Sequence, residues 1–480
     1  GLLVVVIGLY AYQAFRPAAE SHKTVIARAT PGGEPGTTEP ETGEDRSVAV
    51  LPFVDMSEAR DQEYFADGIS EELLNLLAKV PQLRVIARTS SFSFKGKEVD
   101  IAEIAQKLNV ANVLEGSVRK SGDTLRITAQ LIRASDSSHV WSQTYDRKLT
   151  DVFAVQDEIA AAVVEQLKVT LLGDAPKTRA TDPEAYRLYL QAREVGRQAS
   201  PVAYEQAITL FKQALAIDPS YAPAWADLAI AYFAQMDLGQ ISMDQGLALG
   251  HAALGKALEY DPSYALAYAY MASFAGIIGR DYAAAARQLE KALALDPANV
   301  EIIGIASGIA RRLGRLDLAI ELAEYNVARD PLSVNGYAGL GLAYRYTGQL
   351  DKSIEAYRKL LSIAPDAGWE HTALGDVLLQ KGDANAALAE YLKEPVEVFR
   401  LAGLSHAYLA LGRKAESDAA FAELIRKYPD TKLFTIATVL AERGDFDGAF
   451  ATLDKAAQRH DLDLGAIAVF PAFAPMHDDP

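Results

Sequence analysis

The chain has 480 residues, half of them hydrophobic, and a formal net charge of −17. That length is too great for one hydrophobic core and predicts several domains. The acidic balance argues against nucleic acid as a partner of these residues, because phosphate binding needs concentrated Lys and Arg. There is no cysteine, which excludes disulfides, thiolate nucleophiles and cysteine metal sites.

Residues 1–15 are apolar and uncharged, with Tyr10, Tyr12 and Phe15 near one end. As a helix, this stretch reaches roughly 22 Å at about 1.5 Å per residue, short of the roughly 30 Å hydrocarbon core. We interpret it as the outer part of a transmembrane helix whose inner part is missing, with a truncated signal peptide as the alternative. Residues 16–46, rich in Pro, Gly, Thr and Glu, predict a disordered linker.

Residues 47–172 mix strand and helix patterns and predict a small α/β domain. Apolar residues at helical spacing predict a helix over Gln62–Val80, and Asp67 and Ser70 offer side-chain oxygens near its start. We expect a polar loop over Arg88–Gly96 and a closing helix over Asp151–Leu172. The expected strands are Val48–Phe53, Leu83–Ala87, Val113–Arg119, Leu125–Leu131 and Val140–Tyr145. A short helix is expected at Ile101–Leu108, and a hairpin turn at Gly122-Asp123.

Residues 181–460 carry an internal repeat marked by prolines. Pro331 lies 34 residues after Pro297, and Pro365 lies another 34 residues on. A fixed period of this size indicates a solenoid of helix pairs, and each proline stands where a second helix must end. The fold class is therefore multi-domain: a partial transmembrane helix, a small α/β domain and an all-α superhelix. Residues 461–480 form a C-terminal extension, which we expect to be truncated.

Two resemblances follow from these residues. The 34-residue units resemble the tetratricopeptide repeat. Six motifs of the α/β region resemble the TolB-like amino-terminal domain: Val50–Phe53, Tyr64–Gly68, Val85–Phe92, Leu114–Val118, Arg126–Leu131 and Val155–Ile159.

The resemblance implies the extracytoplasmic part of bacterial CadC-type transcription regulators or of repeat-containing adenylate or guanylate cyclases. In such proteins a cytoplasmic output domain and one membrane span precede this pair. It therefore implies a non-catalytic sensor and protein-interaction region, anchored in the bacterial inner membrane, with residues after about 16 in the periplasm. Two alternatives stay open: an envelope scaffold without signal output, and the non-catalytic part of a cyclase.

The residues present predict no enzyme. Gly339–Tyr344 begins like a dinucleotide-binding loop, but it lacks the third glycine and lies where a repeat helix needs small residues, so packing explains it better. The seven histidines form no metal pair at helical spacing. We therefore expect no catalytic residue, no metal and no cofactor.

The repeats predict a binding surface, because first helices line the concave face of such a solenoid. We expect a protein or peptide ligand in that groove. Arg312 and Arg345 lie 33 residues apart, almost one period, so they are candidates for a pair that binds a carboxylate. Two solvated surface arginines are the alternative. The expected groove residues are Phe233, Tyr270, Arg312, Arg345, Tyr346, Asp376 and His406.

Overall fold

The computed structural model describes residues 46–121, 124–169, 177–278, 281–459, 467 and 470–476. The expected membrane segment, the linker up to residue 45 and the Gly122-Asp123 turn lie outside these residues. No helix within the described ranges is long and apolar enough to cross a membrane. The chain divides into two compact units. In the described chain, the first comprises residues up to 274 with 283–303 and 329–331, and the second comprises 275–282, 304–328 and the residues from 332 onward.

The first unit opens with a mixed sheet, whose strands are β1 Ser47–Val50, β2 Val54–Asp55, β3 Arg84–Val85, β4 Asn112–Ser121, β5 Thr124–Arg133 and β6 Ser138–Lys148. The strand order is β3-β1-β4-β5-β6. Strand β1 runs parallel to both β3 and β4, whereas β4, β5 and β6 form an antiparallel meander, and β2 pairs with β4. The helices of this domain are α1 Glu63–Ala78, α2 Arg88–Phe92, α3 Ile101–Leu108 and α4 Val152–Gln166.

Two sequence expectations for this domain are wrong. Asp67 and Ser70 do not cap α1 but lie inside it and face the protein interior. The Phe53 amide donates to Ser70 Oγ at 2.8 Å, and Lys95 Nζ donates to Asp67 Oδ2 at 2.6 Å. The polar stretch that begins at Arg88 is not a loop throughout, because it opens with α2, in which two serines are buried.

The repeats follow as antiparallel helix pairs. Five of the turn glycines, at positions 314, 348, 382, 412 and 444, have φ between 69° and 90°, the left-handed region where a side chain is strained. The pairs in the first unit include α5 Pro183–Gly196, α6 Pro201–Ile217, α7 Ala222–Asp237, α8 Met243–Tyr260, α9 Ala265–Ser273 and α10 Tyr282–Leu295. The later helices are α11 Val300–Arg312, α12 Leu316–Arg329, α13 Val334–Tyr346, α14 Leu350–Ile363, α15 Glu370–Gln380, α16 Ala384–Tyr391, α17 Glu397–Ala410, α18 Lys414–Lys427, α19 Leu433–Glu442 and α20 Phe446–Gln458.

In the first unit, the α/β domain and the first repeat helices share one hydrophobic core. Tyr186 of α5 is fully buried and packs edge to face on Phe153 of α4, with ring centroids 5.0 Å apart. Gly68 of α1 lies so close to α5 that an added Cβ would be 2.5 Å from Leu190 Cδ1. The sheet domain is therefore fused to the start of the array rather than joined to it by a free hinge.

A second contact within the first unit joins segments far apart in the chain. The Ala87 amide donates to the Arg329 carbonyl at 2.7 Å. Three residues further on, Ser90 Oγ donates to Asp330 Oδ1 at 2.5 Å, across 240 residues of sequence. Helix α2 is thereby fastened to the turn that follows α12.

In the second unit, glycines of one helix receive tyrosine rings of the next. A Cβ atom added to Gly341 would be only 2.8 Å from Cζ of the Tyr357 ring. The fully buried ring of Tyr391 lies closer still to the Cβ positions of two glycines, Gly375 on the helix before it and Gly403 on the helix after it. In the segment that begins like a dinucleotide loop, Gly341 therefore serves helix packing, whereas Gly339 has open space around it.

Candidate protein-binding surfaces

The first unit buries a carboxylate among three arginines, which we call the Glu71 cluster. Glu71 Oε1 accepts from Arg193 Nη2 at 2.6 Å, and its Oε2 accepts from Arg88 Nε and Arg197 Nη2, both at 3.0 Å. Burial alone would raise the pKa of Glu71, but the three guanidinium groups outweigh it and hold the pKa below the ordinary value. Helices α1, α2 and α5 are thus fixed to one another by charge as well as by packing.

Acidic residues surround this cluster on the repeat side. Arg193 Nε also lies 3.2 Å from Asp227 Oδ2 on α7. Burial raises the pKa of Asp227 and raises the pKa of Glu72, beside the cluster on α1, to about 7. The side chain of Glu301 is exposed, yet desolvation by neighbouring protein atoms raises its pKa as well. This surface therefore holds carboxyl groups that ionise less readily than in water.

Two of the expected groove residues belong to this unit. Tyr270 Oη donates to Glu301 Oε1 at 2.7 Å, and the tyrosine is itself buried. Phe233 is partly exposed and stacks on Phe274, with ring centroids 5.4 Å apart and an interplanar angle of 13°.

The second unit contains another buried ion pair, which we call the Arg345 cluster. Arg345 lies on α13 with 5% of its side chain exposed, and its Nη1 donates to Asp376 Oδ2 of α15 at 2.9 Å. Its Nε donates to Gln380 Oε1 at 3.3 Å. Tyr391 Oη donates to the second Asp376 oxygen, Oδ1, at 2.8 Å. Burial disfavours the charge of Arg345, but Asp376 and the neighbouring tyrosine hydroxyls together outweigh it, so the pKa of Arg345 lies above its ordinary value.

Two more expected groove residues lie beside this cluster. Burial raises the pKa of Tyr346, whose hydroxyl is bonded by Arg311. His406 Nδ1 lies 3.2 Å from Glu442 Oε2. Burial also raises the pKa of Glu442, and His406 lowers it in part. His406 Nε2 is buried and has no hydrogen-bond partner within the described part of the chain. The structure therefore brings Arg345, Asp376, Tyr346 and His406 into one region.

The expected pair of Arg312 and Arg345 does not form a carboxylate site of its own in this structure. The carboxylate that Arg345 binds is that of Asp376, one repeat later. Arg312 is half-buried, and its Nη1 lies 3.5 Å from the Gly308 carbonyl on its own helix. Sequence reasoning missed Tyr391, because its position in the second helix of a repeat is the one assigned to packing.

The C-terminal segment Phe470–Met476 lies on the second unit. Its last six residues form a 3-10 helix, in which Phe473 is 2% and Met476 4% exposed. Both pack against residues of α19 and α20. The ring of Phe470 lies edge to face on Phe434, with centroids 5.4 Å apart, and the guanidinium carbon of Arg345 is 5.6 Å from the Phe470 centroid. Residues 470–476 of the expected extension therefore pack on the last repeat.

No group of three or more His, Asp or Glu within the described ranges is arranged to hold a metal ion. Both the Glu71 cluster and the Arg345 cluster consist of oppositely charged side chains, and an aromatic ring lies beside an arginine in each: Tyr189 beside Arg193 and Phe470 beside Arg345. Such an arrangement suits recognition of a peptide better than covalent chemistry.

Comparison with known proteins identifies both parts of the chain. Residues 44–162 match the second domain of the HilA/YgeH-like transcriptional regulators. Tetratricopeptide-repeat families match residues 203–235, 279–332, 334–367 and 403–463.

Two curated relatives share part of this sequence. One is named "Putative adenylate cyclase 3" of Rhizobium meliloti (strain 1021) and is 44% identical over 188 residues, which are 38% of this chain and 32% of that protein. Protein FlbA of Caulobacter vibrioides is 33% identical over 134 residues, which are 28% of this chain and 22% of that protein. The matched regions thus span about a third of the relatives' length or less.

Among solved structures, PilF of Pseudomonas aeruginosa is 20% identical and covers 47% of this chain and 98% of its own, with a TM-score of 0.37. The family matches agree with the strand and helix pattern that the structure shows. The chain therefore carries a HilA/YgeH-like second domain followed by tetratricopeptide repeats, the pairing of a small sheet domain with an all-α array that its motifs predicted.

Proposed function

We propose that this chain is the sensor region of a membrane-anchored bacterial regulatory protein. In this proposal, a protein or peptide binds the repeat array, and its presence is passed to an output domain elsewhere in the same protein. Tetratricopeptide repeats are protein-interaction modules, which supports the first half. The observation that carries the second half is the single core shared by the α/β domain and the first repeats.

The shared core gives a physical route for the signal. Glu71 lies on α1 of the α/β domain. Of its arginine partners, Arg193 lies on α5 of the array and Arg197 is the residue that directly follows α5. A rotation of α5 on partner binding must either move α1 with it or separate a buried carboxylate from its arginines. The second outcome is costly, because a buried charge would be left unpaired.

Two output activities are compatible with the relatives. Transcription regulation is supported by the HilA/YgeH-like domain, and formation of a cyclic nucleotide is supported by the relative from Rhizobium meliloti. The full-length native protein decides between them. Expression in its host should change either the transcripts of target genes or the cyclic AMP content of the cells.

Sensing is tested against a passive scaffold by finding the partner and then removing it. A photo-crosslinking residue replaces Phe233, which is partly exposed on α7, and in a matched control it replaces Glu259, which is exposed on the outer helix α8. We expect a specific adduct from the first position and none from the second. Deleting the gene of the captured partner should then alter the output. Output that is the same with and without the partner would favour the scaffold.

The proposed location is the periplasm, supported by the apolar and uncharged residues 1–15. A reporter enzyme that is active only in the periplasm, fused after Pro480 in the full-length protein, should be active. Activity of a cytoplasm-specific reporter at the same position would contradict this location.

A further inference from the structure

We propose that the groove of the second unit is a binding site for an aromatic and proline-containing peptide, and that the chain's own segment Phe470–Met476 occupies it. A partner with the same chemistry would bind by displacing this segment. The inference rests on the proposed role of the array as a partner-binding surface and names the kind of partner that it takes.

The position of Phe470 shows that the segment crosses the groove. Its ring contacts Phe434 on α19 and the guanidinium group of Arg345 on α13. These two helices are the first helices of repeats three positions apart. In a solenoid each repeat packs only on its neighbours. A single ring that touches both repeats must therefore lie on the inner face, where the first helices converge.

The chemistry of the site matches the chemistry of the segment. The segment reads Phe-Pro-Ala-Phe-Ala-Pro-Met and has no charged side chain. Arg345 directs its edge toward Asp376 and Gln380, and the aromatic ring of Phe470 lies 5.6 Å from its guanidinium carbon. The charge of this guanidinium group is already paired with Asp376 through Nη1, and its face is free to contact an aromatic ring such as that of Phe470. This geometry replaces the acidic peptide expected from the sequence with an aromatic one.

A second observation points to a ligand main chain. His406 Nδ1 faces Glu442 Oε2 at 3.2 Å, and in the neutral tautomer that donates a proton to this carboxylate, Nε2 is an acceptor. This atom is buried in a residue that is 8% exposed, and nothing among the described residues bonds to it. Glu442 interacts electrostatically with both Arg345 and Asp376, so the histidine belongs to the same region. The described residues of the segment do not donate to this atom, so a partner peptide with an N–H group at this point would make one hydrogen bond that the segment lacks.

The way the segment is held is compatible with exchange. Its anchors are apolar side chains, Phe473 and Met476, on the last repeat. The backbone hydrogen bond from the Phe473 amide to the Phe470 carbonyl, 3.1 Å long, is internal to the segment. A competing peptide with two phenylalanines at the same spacing would recover these contacts without breaking a charged pair.

The test uses the full chain and a spin label. The protein has no cysteine, so Ala474→Cys, at an exposed position, gives one labelled site on the segment. The probe is an acetylated and amidated synthetic peptide of residues 468–476, and the same peptide with both phenylalanines replaced by alanine is the control. We expect the first peptide to increase label mobility in a saturable way and the control to leave it unchanged.

A further variant tests how much the Phe470 ring contributes to holding the segment in the groove. Phe470→Leu keeps an apolar side chain but removes the ring over Arg345, so the peptide should displace the segment at about a tenfold lower concentration. Phe450→Leu changes a phenylalanine that is 41% exposed on α20 and should leave that concentration unchanged.

Two results would overturn the inference. If label mobility stays constant at the highest peptide concentration, in both the parent and Phe470→Leu, the segment is a permanent cap. Equal displacement by the alanine peptide would overturn it as well. Neither result would refute the proposed sensor function, which is tested separately by deleting the gene of the captured partner.

Discussion

Replacing Glu71 by glutamine should destabilise the first unit more than any other single change of charge that we consider. The substitution keeps the shape of the side chain but leaves Arg88, Arg193 and Arg197 without the carboxylate that they share at 2.6–3.0 Å. Removing one partner of a buried ion pair typically costs about 3–5 kcal/mol. The arginine side chains are 24–31% exposed, so water compensates part of the loss, and we expect about 2–4 kcal/mol.

Hydrogen exchange followed by mass spectrometry is the appropriate assay, since a chain of two units need not unfold in one step. Protection should fall in peptides from α1 and α5 and stay unchanged in peptides from the second unit. Glu423→Gln is the matched control, because it removes a partly exposed carboxylate 2.6 Å from Arg426 and should produce no measurable change. A loss below about 0.5 kcal/mol for Glu71→Gln, the range of ordinary surface substitutions, would refute the view that Glu71 fastens the α/β domain to the array.

Three further predictions concern single side chains. Gly341→Ala should destabilise the second unit by about 1–3 kcal/mol in urea unfolding, because the new methyl group meets the buried ring of Tyr357. Gly339→Ala, on the same helix with open space around it, should be neutral or slightly stabilising, and equal effects of the two would contradict the packing argument. The pKa of Glu72, about 7 against 4.5 in water, means that its contribution to stability is fully present below pH 4.5 and is lost as the pH rises through 7. Glu72→Gln should therefore raise the free energy of unfolding at pH 8 by about 1–3 kcal/mol and leave it unchanged at pH 4, and an equal gain at both pH values would contradict this assignment. Tyr391→Phe should cost about 1–2 kcal/mol, because the partly buried Asp376 of the Arg345 cluster loses a 2.8 Å hydrogen bond, and a thermal melt that matches the parent would show that water replaces the hydroxyl.

The sequence was sufficient to predict the features that are encoded locally. The helix Ile101–Leu108 has the predicted bounds, and the proline period located the repeat helices. The mistaken caps on α1 have a physical cause: Asp67 and Ser70 are residue types that favour helix starts, but tertiary partners, Lys95 and the backbone of Phe53, determine their roles.

The candidate site was predictable only in part, for a related reason. The repeat register predicts which positions of a first helix face the groove, and so Arg345 and Asp376 were both named as candidates. The register does not indicate which of these side chains bond to each other. The sequence therefore predicted that a ligand would supply the carboxylate bound by Arg345, whereas in the structure Asp376 of the same chain supplies it. The Glu71 cluster escaped prediction because its carboxylate and two of its arginines lie 122 and 126 residues apart.

The bond between Ser90 and Asp330 has a consequence for synthesis of the chain on the ribosome. The 240 residues between them take about 12–48 s to translate at the usual 5–20 residues per second. During that interval α2 has left the ribosome while the turn that covers it has not yet been made. The sheet domain of the nascent chain therefore lacks the hydrogen bond to Asp330 until that residue has emerged from the ribosome. The exposed side of α2 is where we expect a chaperone to act on this protein as it is being made.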